Sequence, residues 1–218
     1  MSNVIIFGAK QNSELAKYYL DNDTDHKVIA FCLDGKYLKE PHFNGLPVVD
    51  FESIEKNFPS SSYKFIAPLA PNSMGKVRQD VFNRIENKGY EFISYISSKT
   101  TNFSSHIGRN CFILEDNTLQ PFTKIGNNVL IWSGNHIGHH TVIHDHVTIT
   151  SHVVISGRCN IEKNSFFGVN STIRDGVNIA EGSFISLGVV IVSDTEPWSV
   201  YKGISGKLTK IPSTRVKF

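Results

Sequence analysis

The sequence predicts a small Rossmann-like α/β domain with a parallel sheet (residues 1–94), a parallel β-helix (residues 95–199) and a short tail (residues 200–218). Two observations lead to this prediction. Before residue 95, short apolar segments alternate with amphipathic segments, as in a sheet whose strands are joined by helices. After it, one large apolar residue returns at every sixth position, a period that matches neither a helix nor a simple alternating strand.

The first domain is predicted from apolar segments and from helix-capping residues. The predicted elements are, in order, a strand at 4–7, a helix from Ser13 to Leu20, a strand at 27–32, a weak helix at 51–58, a strand at 63–67, a helix capped by Ser73 that buries Val77, Val81, Phe82 and Ile85, and a strand at 91–95. This alternation is typical of a small parallel sheet.

Ligands of such a sheet bind beyond the carboxyl ends of its strands. The candidate substrate-binding residues at this edge are Gly8, Ala9, Lys10, Asp34 and Gly35, beside the loop 67–72. No G-x-G-x-x-G follows the first strand, so the dinucleotide fingerprint is not met. A smaller nucleotide, a sugar nucleotide and a purely structural turn at Gly8 all remain open.

The second domain follows a six-residue frame from Ile107 to Ile191. Position 1, which begins at Ile107, is aliphatic or Phe throughout, and position 5, which begins at Cys111, is small or β-branched. A short strand and a sharp corner fill six residues, and three such units close a coil of about 18 residues. We expect positions 1 and 5 to point inward, which makes Cys111 and Cys159 core residues. Gly at position 2 and Asn residues are expected to supply corners with positive φ. An antiparallel β-sandwich, with irregularly spaced strands, is the alternative.

The composition gives no support for a nucleic-acid or membrane partner. The net charge is +2, with acidic and basic residues interspersed, and no run of about 18 apolar residues is present. The N-terminus does not have the form of a signal peptide. The three cysteines are isolated, which favours a reducing compartment, predicts a cytoplasmic location and gives no cysteine-based zinc site.

Six of the nine histidines fall within residues 136–152. The frame predicts that His136 and His139 project outward. Three interpretations are open: surface or subunit-interface histidines, favoured for His146 and His152; metal ligands; or a general base. A neutral imidazole, with an ordinary pKa of about 6.5, is suited to accept a proton near neutral pH.

Two segments carry a family resemblance: the F-G-A turn at residues 7–9 and the coil sequence I-G-H-H-T-V-I at residues 137–143. Together they resemble the bacterial sialic-acid O-acetyltransferase and UDP-amino-sugar N-acetyltransferase family of hexapeptide-repeat acyltransferases. The resemblance covers nearly the whole chain and implies a left-handed β-helix, a homotrimer and acetyl-CoA as co-substrate. The closing segment, residues 200–207, resembles the family's G-x-P-A-K end, with Ser205 and Gly206 in place of Pro and Ala.

The resemblance also implies roles for individual residues. The family's catalytic base corresponds to His139. His140 stands where some members have a Glu, so Asp145 is the candidate to orient His139 across a subunit boundary. The implied acetyl-CoA contacts are Thr148, Gly157, Val169, Leu187 and Gly188, and Asn135 joins the head-domain residues as a candidate substrate contact.

The implied activity is direct transfer of an acetyl group from acetyl-CoA to a nucleotide-linked amino sugar, in bacterial surface-glycan or lipopolysaccharide biosynthesis. N-acetylation is favoured, sialic-acid-type O-acetylation is the alternative, and no metal is needed. Two other classes remain. One is a zinc hydratase resembling gamma-type carbonic anhydrases, since His139 and His144 have the five-residue spacing of two zinc ligands. However, the third zinc ligand would be expected two coils before these histidines. Phe103 and Gly108 stand there, and neither can bind zinc. The other class is a non-catalytic β-helix.

Overall fold

The computed structural model describes residues 1–203 and Ser205. An α/β head precedes a triangular left-handed β-helix, which confirms the predicted fold class. Ile204, Gly206 and Lys207 of the expected closing motif lie outside the described residues.

The head is a six-stranded sheet with one helix on each side. In chain order its elements are β1 (Asn3–Phe7), α1 (Gln11–Asp23), β2 (Lys27–Leu33), β3 (His42–Phe43), β4 (Leu46–Asp50), β5 (Tyr63–Ile66), α2 (Lys76–Asn87) and β6 (Glu91–Phe92), with 3-10 turns at Gly35–Tyr37 and Ile54–Lys56. The strand order is β3-β4-β2-β1-β5-β6. Among the described residues, neither helix is long and apolar enough to cross a bilayer.

The sheet is mixed, so the prediction of a purely parallel sheet is wrong at one edge. There β3 and β4 pair antiparallel. Asn44 and Gly45 form the connecting turn, with φ of 45° and 77°. An Asn-Gly pair is typical of two-residue hairpins because both turn residues need positive φ, so the signal was present in the sequence.

The predicted helix caps are also wrong. Helix α1 begins at Gln11, so Ser13 lies inside its first turn and is buried beneath Gly8. Helix α2 begins at Lys76, because residues 73–75 have positive φ and cannot continue a right-handed helix.

Other head predictions are partly correct. On α2, Val81, Phe82 and Ile85 are buried as expected, whereas Val77 is 45% exposed. The predicted helix at 51–58 is only the short 3-10 turn Ile54–Lys56. The predicted strand at 91–95 is interrupted, because its first residues extend the head sheet while Tyr95 pairs with Phe112 in the β-helix.

The β-helix has three parallel sheets, which we call faces 1, 2 and 3. Face 1 contains Tyr95–Ile96, Phe112–Ile113, Leu130–Ile131, Thr148–Ile149, Phe166–Phe167, Phe184–Ile185 and Val200–Tyr201. Face 2 contains Thr101–Asn102, Thr118–Leu119, His136–Ile137, Val154–Ile155, Thr172–Ile173 and Val190–Ile191. Face 3 contains His106–Ile107, Lys124–Ile125, Val142–Ile143, Asn160–Ile161 and Asn178–Ile179. The last strand of face 1, Val200–Tyr201, therefore lies in the segment that was predicted to be a tail, residues 200–218.

The coil interior matches the predicted frame. Position 1 is buried from Ile113 to Ile191, and position 5 is buried from Cys111 to Val189. Cys111 and Cys159 are inward core residues, as expected. Asparagines at position 5 hydrogen-bond between coils: the amide N–H of Asn135 donates to Oδ1 of Asn117, 18 residues earlier, at 2.9 Å.

The corners match the prediction in part, because Asn110, Asn128, Asn164 and Asn170 do have positive φ. Positive φ falls at position 4 in every repeat from Asn110 to Gly188, and not at the glycines of position 2. Those glycines provide space instead: a Cβ on Gly138 would lie 2.8 Å from Cα of Gly157 in the next coil. Where glycine stands at position 2, the close approach of the next coil leaves no room for a side chain, while position 4 adopts a left-handed conformation even as Asn, His, Phe or Arg.

Candidate active site

His139 and His140 lie on the corner between faces 2 and 3. We call this the second corner and define it by residues 121–122, 139–140, 157–158 and 175–176. His139 is at position 3 and exposed, as the frame predicts. Its backbone N–H donates to Oε1 of Gln120 at 2.9 Å, which anchors the start of the turn.

The two imidazoles contact each other directly. Nδ1 of His139 lies 3.1 Å from Nδ1 of His140, and the ring planes are nearly perpendicular at 87°. On its other side, the His140 ring packs against Phe122, one coil earlier, with centroids 4.7 Å apart. The edge of the His139 ring that carries Nε2 is thereby left to face the next coil.

Beneath His139 lies the backbone of Gly157. A Cβ placed on Gly157 would be 2.8 Å from both Nε2 and Cε1 of His139, and 3.0 Å from Oδ1 of Asp175. The ring and the carboxylate thus approach the same point from opposite sides. Asp175 also forms an ion pair with Arg158. Asp175 was not among the predicted site residues, although it stands at position 3, two whole coils after His139.

Asp145 does not meet His139 within the chain. Six residues carry the chain around to the next corner, between faces 3 and 1, which we call the third corner (residues 109–110, 127–128, 145–146, 163–164 and 181–182). There Oδ1 of Asp145 accepts the backbone N–H of Asn127 at 2.6 Å. Asp145 therefore does not contact His139 within one chain, and its predicted role in orienting His139 across a subunit boundary stays a prediction.

Two further predicted contacts are buried. Asn135 is 2% exposed inside the coil, where Nδ2 donates to the carbonyl of Trp132 and Oδ1 accepts from Val153. Thr148 is 2% exposed, because the head covers that part of face 1, and its Oγ1 accepts from Arg78 at 3.1 Å. The side chains of Asn135 and Thr148 are therefore not exposed on the surface of one chain, and their contacts with the substrate and with acetyl-CoA stay predictions.

The remaining cofactor candidates occupy two different edges of the triangular prism. Val169, Leu187 and Gly188 lie on the first corner, between faces 1 and 2, where Val169 is 43% and Leu187 72% exposed. Gly157 lies on the second corner. One chain therefore does not bring these residues together around a single ligand.

The head-domain candidates do gather at the carboxyl edge of the sheet. Gly8 has φ of 118° and packs tightly over Ser13, which gives it a structural role. Oδ1 of Asp34 accepts from Nη2 of Arg84 at 2.5 Å, and these hydrogen bonds raise the pKa of Arg84. Ala9, Lys10 and Gly35 lie in the turns that follow β1 and β2.

A cavity of about 450 Å³ opens beside the first turns of α1. It is lined by Gln11, Asn12, Glu14, Leu15, Tyr18 and Trp132. Trp132 belongs to the β-helix, so this cavity lies at the junction of the head and the coils. No motif in the sequence pointed to it, because its walls come from segments more than 100 residues apart.

The head is fixed to the third corner and to face 1. Oδ1 of Asn110 accepts the amide N–H of Ala67 at 2.7 Å, and Nδ2 of Asn164 donates to the carbonyl of Met74 at 3.2 Å. Within residues 1–203, no hydrogen bond or ion pair joins the head to the second corner. His139 therefore lies on the edge of the prism away from its own head.

The other histidines are in different environments. His146 is buried against Phe82 of α2, and burial lowers its pKa to about 4. His152 is exposed, whereas Nε2 of His144 lies 3.0 Å from Oδ1 of Asn160. Across the part of the chain that the structure describes, no three His, Cys, Asp or Glu side chains converge as a metal-binding group.

Comparison with known proteins agrees with this architecture. The family model for the bacterial transferase hexapeptide (six repeats) matches residues 122–157, which include His139. A curated relative, the acyl-[acyl-carrier-protein]–UDP-N-acetylglucosamine O-acyltransferase of Paracoccus denitrificans, is 26% identical over 143 residues, or 62% of this chain and 49% of the relative. The chain thus spans about half the length of that relative.

Three solved structures resemble the chain over both of its parts. PerB from Caulobacter crescentus, in complex with CoA and GDP-perosamine, covers 92% of this chain and 93% of its own, with 16% identity and a TM-score of 0.79. WeeI from Acinetobacter baumannii covers 93% and 97%, with 19% identity and a TM-score of 0.78. The acetyltransferase domain of PglB from Neisseria gonorrhoeae covers 92% and 96%, with 14% identity and a TM-score of 0.77.

At these identities the likeness establishes the fold. Residues 122–157 match the hexapeptide repeat of bacterial transferases, and the order of an α/β head followed by a left-handed β-helix is shared with these three solved structures.

Proposed function

We propose that the protein is an acetyl-CoA-dependent acetyltransferase that N-acetylates a nucleotide-linked amino sugar for a bacterial surface glycan. The head, residues 1–94, holds the sugar nucleotide, and the coils, residues 95–199, supply the base and the cofactor groove. The observation that carries the proposal is the exposed imidazole of His139 above the side-chain-free backbone of Gly157. The likeness to PerB, whose structure contains CoA and GDP-perosamine, supports this assignment.

In the proposed reaction, Nε2 of His139 removes a proton from the acceptor amine as its nitrogen attacks the thioester carbonyl. The carbon–nitrogen bond forms, the carbon–sulfur bond breaks, and the proton passes from His139 to the departing CoA thiolate. Positioning both substrates in one groove supplies up to about 7–11 kcal/mol of the barrier reduction, and a general base a further factor of roughly 10²–10⁴.

The tetrahedral intermediate needs a hydrogen-bond donor for its oxyanion. The backbone N–H of Gly157 is our candidate, since Gly157 lies next to the His139 ring and its N–H donates to no other group among the described residues. Glycine at this position lets a substrate carbonyl approach the chain closely. No cysteine nucleophile is required, since Cys111 and Cys159 are buried in the coil.

We further propose that the enzyme is a homotrimer with its sites between subunits. His139 lies away from its own head, and the cofactor candidates are divided between the first and second corners. Placing the first corner of one copy against the second corner of its neighbour unites them, with the neighbour's head presenting the sugar. Exposed apolar side chains at Val154, Val169 and Leu187 support burial of this region by another copy.

A cytoplasmic reaction fits the same proposal. All three cysteines are free and buried, as is usual in a reducing compartment.

The test is a thiol-release assay with acetyl-CoA and a panel of UDP-, GDP- and dTDP-linked amino sugars. Mass spectrometry of the product distinguishes an amide from an ester. Acetylation of an amino group is the expected result. An ester would reassign the enzyme as an O-acetyltransferase, and transfer only from acyl-carrier protein would assign it the activity of the curated relative. Absence of transfer from every donor would overturn the proposal.

A further inference from the structure

We propose that His140 is the positioning residue for His139: its Nδ1 accepts the Nδ1–H of His139, so that the lone pair on Nε2 of His139 is free to take the substrate proton. The inference deepens the proposed function, since it depends on His139 being the base. It gives the role usually taken by a carboxylate to a neutral imidazole.

The distance between the two rings allows them to share one proton in a hydrogen bond. The Nδ1 atoms lie 3.1 Å apart, which is hydrogen-bond distance. Two unprotonated nitrogens would repel at this separation, and two protonated nitrogens would clash, so one donates and the other accepts. Donation by His139 leaves its Nε2 unprotonated and facing Gly157, where the acceptor amine is placed in the proposed reaction.

The local backbone holds His140 in its role. His140 occupies position 4 with φ of 59°, and this backbone conformation sets the direction of its Cα–Cβ bond. The Phe122 ring, with centroids 4.7 Å away, limits rotation of the imidazole. His139 is fixed in turn by the hydrogen bond from its backbone N–H to Gln120. Both rings are therefore positioned before substrate binds, which a base of this kind requires.

Among the residues that the structure describes, no carboxylate takes this role in place of His140. Asp175 approaches the Nε2 side of His139, not the Nδ1 side, and is paired with Arg158. Asp145 lies on another corner, bound to Asn127. The charged groups that face the pair are thus Asp175 and Arg158, both on the later coils, and the acceptor on the Nδ1 side is neutral.

Two substitutions of His140 distinguish the role of its hydrogen-bond acceptor from the role of its ring shape. In His140→Asn, Oδ1 can occupy the place of Nδ1, and Asn is found at position 4 at Asn110, Asn128, Asn164 and Asn170. In His140→Phe the ring is kept without an acceptor, and Phe122 shows that this corner accepts Phe with positive φ. We expect His140→Asn to keep kcat within about threefold, and His140→Phe to lower kcat about ten- to a hundredfold without changing the KM for acetyl-CoA.

A third variant tests the charge. In His140→Glu a carboxylate stabilises the protonated form of His139, so the acidic limb of the kcat/KM profile should move to higher pH. Sedimentation and thermal unfolding report whether each variant is folded and assembled. Full kcat in a folded His140→Phe variant, or an equal loss in the Asn and Phe variants, would overturn the proposal.

A measurement on the unmodified protein needs no turnover. With ¹⁵N-labelled histidine, the nitrogen shifts of neutral His139 should show Nδ1 protonated and Nε2 unprotonated. The opposite tautomer overturns the proposal even if the enzyme is active. The expected tautomer in a protein that acetylates no sugar would support the histidine pair and refute the proposed function instead.

Discussion

The guanidinium of Arg78, on α2, donates from Nη2 to the backbone carbonyl of His146 at 2.8 Å, and thereby joins the head to the third corner of the coils. Arg78 is completely buried, and burial lowers its pKa to about 10, so it remains protonated at neutral pH. Its other hydrogen bonds go to the carbonyls of Leu69, Asn128 and Val147 and to Oγ1 of Thr148. One cation thus satisfies several backbone acceptors at the junction.

Arg78→Met should destabilise this junction. The substitution leaves buried carbonyls without donors, at a cost of about 3 kcal/mol, and loosens the head on the coils. Thermal unfolding should show a lower melting temperature, and the KM for the sugar nucleotide should rise. Arg174→Met is the matched control, because Arg174 is exposed on the coils. An unchanged melting temperature in Arg78→Met would show that the hydrogen bonds do not stabilise the junction.

His139→Ala should lower kcat at least about a hundredfold, because the proton acceptor is removed, and should leave the assembly intact. Steady-state kinetics and sedimentation measure the two effects. His144→Ala is the control within the same histidine cluster, since His144 is bound to Asn160 away from the second corner. Retention of kcat in His139→Ala would assign the base elsewhere.

Gly157→Ala should impair catalysis more than stability. The new Cβ would lie 2.8 Å from the His139 ring, so the imidazole must move from its position over the corner. We expect kcat to fall at least about tenfold, since displacements of about 1 Å have such effects.

The comparison for this variant is Gly45→Ala. Gly45 has φ of 77° in the β3–β4 turn and open space around its Cα. The substitution should cost about 1 kcal/mol of stability and leave kcat unchanged. Wild-type kcat in Gly157→Ala would show that His139 does not need its observed position.

His146 should make stability depend on pH. Burial lowers its pKa from 6.5 to about 4 in the folded chain, so the unfolded chain binds the proton more tightly. The stabilisation is therefore complete above about pH 6.5 and is lost as pH falls toward 4. Urea unfolding at pH 7 and pH 4.5 should differ by a few kcal/mol.

His146→Asn supplies the control for that measurement. Asn is compatible with the left-handed position 4, where His146 has φ of 66°, and it does not titrate. Part of the difference between pH 7 and pH 4.5 should disappear in this variant. An unchanged difference would attribute the pH dependence to other groups.

The coil could be predicted from sequence because its rule is local. Each inward position must be apolar or small, so the six-residue period identified the buried side chains from Ile113 to Ile191 and the outward direction of His139. The conformation of the corners was harder to predict from sequence, since Asn, His, Phe, Arg and Gly all occupy position 4. In His, Phe and Arg the left-handed conformation is imposed by the coil, whereas Gly and Asn adopt it readily by themselves.

By itself, the sequence determined the β-helix, the order of the two parts, and the placement of His139 on an outer corner. Only the tertiary structure decided which side chains share that corner. Asp145 is six residues from His139 but lies on another edge, whereas Asp175, two coils away, lies beside it. Likewise, the head covers Thr148. Helices α1 and α2 are buried against face 1 and the third corner, and this packing joins segments that are distant in sequence. The six-residue period reflects the packing inside a residue's own coil. Docking of the head on the coils depends instead on surfaces that no short segment contains.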